Sequence, residues 1–185
     1  MSSQSWQQQL RRTLRRLQMP DRPLSVAVVG VGHELRGDDA VGVVIARELA
    51  PLFRPPEPDG GPHPAGAPSR KQAHALAIDA GPAPENVTGP IRRFEPDLVL
   101  LIDAALLGEP AGTVAWLDRR SVAQLSTSTH TLPLALFAEY LATELVCDVA
   151  ILGIQPAGAT LGAPLSPRVR RAAQAVIREL AAALS

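Results

Sequence analysis

The sequence predicts a three-layer α/β sandwich, with a mostly parallel five-stranded sheet, one antiparallel edge strand and helices on both faces. Three observations predict it. Short continuous runs of valine, leucine and isoleucine recur along the chain, as expected of strands buried on both faces. Segments between them carry apolar residues at the spacing of an α-helix. The two kinds of segment alternate, which is the pattern of a parallel sheet covered by its own crossover helices.

Residues 1–22 form an accessory extension ahead of a single domain spanning 23–185. The opening stretch "MSSQSWQQQLRRTLRRLQMP" holds four arginines and no acid. Wound as a helix, it places Trp6, Leu10, Leu14 and Leu17 on one face. An organelle transit peptide or a surface-binding helix has the same pattern. No cleavage signal follows, so a helix packed on the domain is the expectation. Its arginine pairs lack the hydrophobic stretch of a twin-arginine signal.

"LSVAVVG" (24–30) reads as the first strand. "DAVGVVIARELAPLF" (39–53) has helical spacing through Val41, Val44, Ile45 and Leu49, with Asp38 or Asp39 as a natural N-cap. Residues 54–72 are crowded with proline and glycine and hold nothing from which a core can form. They read as an insertion, and its His63 as a solvent-exposed bystander. "HALAIDA" (74–80) is a second strand. "PENVTGPIRRF" (84–94) is a helix that Gly89 and Pro90 should bend or break. "PDLVLLIDA" (96–104) is a third strand, and "GTVAWLD" (112–118) an antiparallel edge strand. A polar loop, "RRSVAQLSTSTHT", precedes a helix over 132–145 with Pro133 in its first turn. "CDVAILGI" (147–154) is the fifth strand. The helix over 166–184 opens with a serine cap and a first-turn proline.

Composition excludes several classes. Eighteen basic and eighteen acidic residues cancel, so no strong field exists for nucleic acid or an anionic membrane. No apolar run approaches the roughly 20 residues of a membrane span, and no secretory signal is present. Aromatics are 3% of the chain, so the core is built from Ala, Val, Leu and Ile. Cys147, the only cysteine, can form no internal disulfide, which fits a reducing, cytoplasmic setting. Its place in an apolar run marks it as a structural thiol.

Ligands of open α/β sheets bind beyond the carboxyl ends of the strands. Three acids stand there: Asp39 past the loop after the first strand, Asp79 ending "LAID" and Asp103 ending "LLID". Brought together, they would repel unless a cation or a shared proton sat among them. The competing phosphate readings are weak. In "GVGHELRGDD" the third glycine comes two positions late for a dinucleotide fingerprint, and Asp79 is too distant for the ribose-binding acid. No Gly-Lys-Ser/Thr sequence exists, so a P-loop is excluded. There is no Gly-x-Ser-x-Gly elbow. "DAG" (79–81) is similar to an aspartic-protease loop, but those dyads arise from β-barrel lobes. "STSTHTLPL" supplies an imidazole, His130, in a polar loop.

The order G-x-G-x-x-x-x-G-D-D, "IDAGPAPEN", "LLIDAALLGEPAGTV", "STSTHTLPL" and "ILGIQP" resembles the hydrogenase maturation endopeptidases, and most of all the branch serving the hydrogenase of formate hydrogenlyase. The resemblance implies an endopeptidase, sometimes classed as aspartic-type. Such an enzyme removes a C-terminal peptide from the large subunit of a nickel–iron hydrogenase after nickel insertion. It implies Asp39, Asp103 and His130 as metal ligands, the two acids also being catalytic. Asp38, Asp79, His33 and Gln155 are then candidates for supporting the site or touching substrate. His33 stands where the family usually has Asn. Two carboxylates and one imidazole form a mixed O/N site with open positions, suited to nickel, zinc or manganese. The nickel would be carried by the precursor, while zinc or a similar ion could occupy the isolated protein. Two mechanisms are open: a metal-activated water, or nickel as a positioning group with Asp39 as general base. A monomer is expected. A non-catalytic nickel-sensing assembly protein and a nucleotide-binding module remain as other classes.

Overall fold

The computed structural model describes residues 5–53, 73–117 and 131–184, the side chains of 131–133 excepted. The expected insertion at 54–72 and the loop carrying His130 lie outside the described residues. Five strands follow in chain order: β1 (Ser25–Val31), β2 (His74–Gly81), β3 (Leu98–Ala104), β4 (Val114–Leu117) and β5 (Asp148–Ile154). The helices are α1 (Trp6–Leu17), α2 (Val41–Leu49), α3 (Thr88–Phe94), α4 (Thr131–Leu145) and α5 (Pro167–Leu184). The sheet order is β2-β1-β3-β5-β4. All pairings are parallel except that of β4, the edge strand, which runs antiparallel to β5. This is the predicted architecture.

Successive strand residues point to opposite faces, so each apolar run feeds two cores. On one face Val26, Val28, Leu98, Leu100, Ile102 and Leu152 pack with Val41, Ile45 and Leu49 of α2 and Val169, Val176 and Leu180 of α5. On the other, Ala27, Val29, Val99, Leu101 and Ile151 pack with Ile91 of α3 and Phe137 and Leu141 of α4. Helix α1 docks on the α2/α5 side. Leu10 is buried there, and Trp6, Leu14 and Leu17 pack beside it. Ser5 and Gln8 close its N-terminus in a reciprocal capping box. Arg11 reaches Glu179 of α5 at 2.7 Å, and Arg16 pairs with Asp148.

Three local expectations are corrected. Neither Asp38 nor Asp39 caps α2. Both lie in a 3-10 turn, Gly37–Ala40, and α2 begins after Ala40 with no side-chain cap. The carboxylates are drawn to tertiary partners instead. Ser166 does not cap α5 with its side chain: the hydroxyl has no partner, and the backbone N–H donates to Asp38 at 2.6 Å. The 84–94 segment breaks before the expected point, into a 3-10 turn Pro84–Val87 and then α3. Gly89 and Pro90 fall in the first turn of α3, where a missing N–H breaks no intrahelical bond. Cys147 is half-buried, and burial together with the neighbouring Asp148 pushes its thiol up to about 11. It is a poor nucleophile, as its place in an apolar run implied.

Helix α2 rests its first turn directly on the sheet. A Cβ at Gly42 would lie 2.1 Å from the Ile102 carbonyl oxygen and 2.4 Å from that of Val31. A Cβ at Gly30 would lie 2.0 Å from the Gly42 carbonyl oxygen. No side chain fits at either position.

Gly42→Ala should therefore lower stability by about 3 kcal/mol or more, a fall in Tm of roughly 6–12 °C read by thermal unfolding. Val146 offers the opposite case. It is 90% exposed and holds a left-handed φ of 51°, which is costly for a β-branched residue. Val146→Gly should stabilise by about 0.5–1 kcal/mol, since relieved backbone strain outweighs the added freedom of the unfolded chain.

Candidate active site

The chain leaves β1 through α2 to reach β2 on one side. It then crosses through α3 on the opposite face to β3 on the other side. After β1 the chain moves to β2 on one side and after β3 to β4 on the other, so the strand order reverses between β1 and β3, and the crevice at their carboxyl ends is where ligands of such sheets bind. Gly30 pairs with Ile102 at that edge, and Asp103 follows immediately.

The loop after β1 returns Asp39 to this crevice. Gly32 takes a φ of 134°, and a Cβ there would lie 1.8 Å from the Asp39 carbonyl oxygen. Only glycine allows the loop to fold back so tightly. Asp39 accepts the His33 backbone N–H on Oδ2 at 3.0 Å. Asp103 accepts the Ala104 N–H on Oδ1 at 2.8 Å. Among the described residues the second oxygen of each carboxylate has no hydrogen-bond partner. Burial, and after it the negative charge of Asp39, push the Asp103 carboxyl up to about 7, against the pull of the Ala104 N–H. The charge of Asp39 is thus felt at Asp103, and among the described residues each carboxylate keeps one unbonded oxygen. Such a pair suits a cation or a shared proton, the two readings the sequence left open.

The third expected ligand, His130, lies outside the described residues. Among the described residues no group of three His, Cys, Asp or Glu side chains converges to hold an ion. The two carboxylates are nonetheless hard oxygen donors of the kind that divalent cations take.

The remaining candidates are engaged elsewhere. Asp38 is 2% exposed, and its carboxylate accepts three backbone N–H groups: Ala157 at 2.8 Å, Gly158 at 3.3 Å and Ser166 at 2.6 Å. It ties the loop after β5 and the start of α5 to the turn that carries Asp39. Gln155 is also buried. Its amide oxygen accepts the Leu107 N–H at 2.7 Å, and its amide nitrogen donates to the Pro156 carbonyl at 3.1 Å. It holds the loop that follows Asp103. Asp79 accepts Arg47 Nε at 2.6 Å on one oxygen and the Gly81 N–H at 3.0 Å on the other. His33 accepts the Leu35 N–H on Nδ1 at 3.2 Å, which removes that nitrogen from coordination. Sequence reasoning missed Arg47. From α2 it clamps both Asp79 and Glu34, and hydrogen bonds to Glu34 and then Asp79 push its pKa further up. Nothing in a single sequence links an arginine to one acid in a loop and another in a strand.

Residues 68–183 match the family model described as hydrogenase maturation protease. The chain belongs to the hydrogenase maturation protease family. A protease homologue of Methanocaldococcus jannaschii is 31% identical over 135 residues, covering 71% of this chain and 72% of the relative. The hydrogenase 3 maturation protease of Escherichia coli is 28% identical over 151 residues, covering 81% and 85%. The crystal structure of the [NiFe] hydrogenase maturation protease HycI from Thermococcus kodakarensis superposes with a TM-score of 0.72 at 28% identity, over 89% of this chain and 94% of the other. This protease is thus an endopeptidase with the α/β fold of its solved relatives. No helix among its described residues is long and apolar enough to cross a membrane.

The raised pKa of Asp103 has a definite sign in stability. The fold favours its neutral form, so the penalty starts as pH rises past the unfolded value of about 3.8 and is complete above about 7. Asp103→Asn should raise Tm over the wild-type protease at pH 8, and the gain should vanish towards pH 4. Paired thermal melts of the metal-free proteins across this range would check it.

Proposed function

We propose that this protease removes the C-terminal extension of a nickel–iron hydrogenase large subunit after nickel has been inserted, in the cytoplasm. The observation that carries the reading is the pair Asp39 and Asp103 at the carboxyl edge of the sheet, each with one oxygen unbonded among the described residues. Family membership supports the substrate class. Asp39, Asp103 and His130 would hold the nickel that the precursor brings, so that an unloaded precursor lacks its anchor. An isolated protein would take zinc or a similar ion at the same donors. The held ion would supply Lewis acidity at the carbonyl of the bond to be cut.

The chain's own residues do the rest. The Asp39 oxygen that is free of the His33 N–H is placed to accept a proton from an attacking water. Asp103, its carboxyl near 7 without metal, would give up its proton on taking the ion, so loading of the site should strengthen as pH rises towards 7. Asp38 and Gln155 keep the two loops still while this happens, which matters because small displacements of such groups are costly in rate.

Mass spectrometry of nickel-loaded precursor mixed with the protease tests the reading. Wild type should shorten the large subunit, metal-free precursor should stay intact, and Asp39→Ala should reduce the rate at least about 100-fold. Binding without shortening would instead identify a nickel-sensing assembly protein.

A further inference from the structure

Arg47 stands in the last turn of α2, yet its partners lie towards the carboxyl edge of the sheet. Side chains of a helix lean towards its N-terminus, so the long stem carries the guanidinium back in the direction of Asp39. There the fork divides. Nε donates to Asp79 Oδ2 at 2.6 Å, and Nη1 donates to Glu34 Oε2 at 2.8 Å.

Both arms end on the same short stretch of the loop after β1. The first runs through the end of β2. Asp79 accepts the Gly81 N–H at 3.0 Å on its other oxygen, which fixes the turn at Gly81, whose φ is 58°. The register with β1 shifts here: Gly30 pairs with Asp79 but Val31 with Gly81, so Ala80 is the extra residue of a bulge. The Gly81 carbonyl then accepts the Gly32 N–H at 3.0 Å. The second arm is direct, through the Glu34 carboxylate. Between the two anchored residues lies His33, whose backbone N–H donates to Asp39 Oδ2 at 3.0 Å. A lone exposed ion pair would hold little. Here one planar fork engages two carboxylates from different elements, a geometry that the point charge of a lysine does not reproduce.

We infer that Arg47 is a positioning residue for Asp39: by anchoring residues 32 and 34 it sets the place of the His33 N–H, and so decides which Asp39 oxygen is tied and where the other stands. Its part in turnover rests on the function proposed above. Arg47 bonds neither acid of the pair. It acts through two carboxylates and the backbone between them, and its loss would leave the fold intact while the Asp39 carboxylate wanders. A displaced ligand or base is costly even when it is still present.

The test compares wild type with Arg47→Met, which keeps the apolar stem and removes the fork. Arg92→Met is the control, taken from an exposed arginine of α3 that pairs with Glu144 at 3.5 Å. Amide hydrogen exchange is followed by NMR in the metal-free proteins, zinc affinity by competition with a chromophoric chelator, and shortening of nickel-loaded precursor by mass spectrometry. In Arg47→Met the Gly32 and His33 amides should exchange at least about tenfold faster, with Tm and the amides of β3 as in wild type. Its Kd for zinc should rise about five- to tenfold and its kcat should fall about tenfold or more. Arg92→Met should match wild type throughout. Unchanged exchange at Gly32 and His33 would overturn the inference. So would faster exchange with zinc Kd and kcat both unchanged, an equal effect in Arg92→Met, or a loss that only follows a fall in Tm. Each of these outcomes leaves the proteolytic reading in place wherever wild type shortens the precursor. Should no protein shorten it while exchange and zinc Kd still separate Arg47→Met from wild type, the inference stands and the proteolytic reading fails.

Discussion

The site depends on how closely α2 approaches the sheet. Gly30 and Gly42 remove the two Cβ atoms that would keep the helix away from β1 and β3. With backbone resting on backbone, the turn before α2 is drawn down onto the carboxyl ends of the strands. Asp39 then stands close enough to Asp103 for its charge to be felt there. A separation larger by one methyl group would leave two unrelated surface acids. The constraint is one of excluded volume, and the electrostatics follow from it.

Asp38 and Asp103 illustrate how differently carboxylates at one edge of a sheet are used. Asp38 is surrounded by three backbone N–H donors from the loop after β5 and the start of α5. Hydrogen bonds of this kind compensate a buried charge without a cation. Asp103 receives one such bond, and its remaining oxygen is left open. The fully bonded acid serves the backbone, whereas the under-bonded one keeps the capacity to bind or to titrate.

The architecture was legible because strands and helices write themselves in local periodicity. "LSVAVV", "PDLVLLIDA" and "CDVAILGI" can only be buried strands, and the alternation around them leaves little choice of topology. Asp39 and Asp103 were legible as acids that end apolar runs at one sheet edge. The missed details all involve partners far apart in the chain. Asp38 and Ser166 lie 128 positions apart, and each looked like a cap because caps are the local use for such residues. The same holds for Arg47, whose partners are Glu34 in the loop after β1 and Asp79 in β2.

Phe53 and Ala73 are the described residues on either side of the proline- and glycine-rich stretch, and the His74 N–H is fastened to the Leu24 carbonyl at 2.7 Å. Both junctions sit at the amino-terminal edge of the parallel strands, across the full strand length from the two acids. A tether anchored at these two junctions would therefore start from the end of the sheet opposite the crevice.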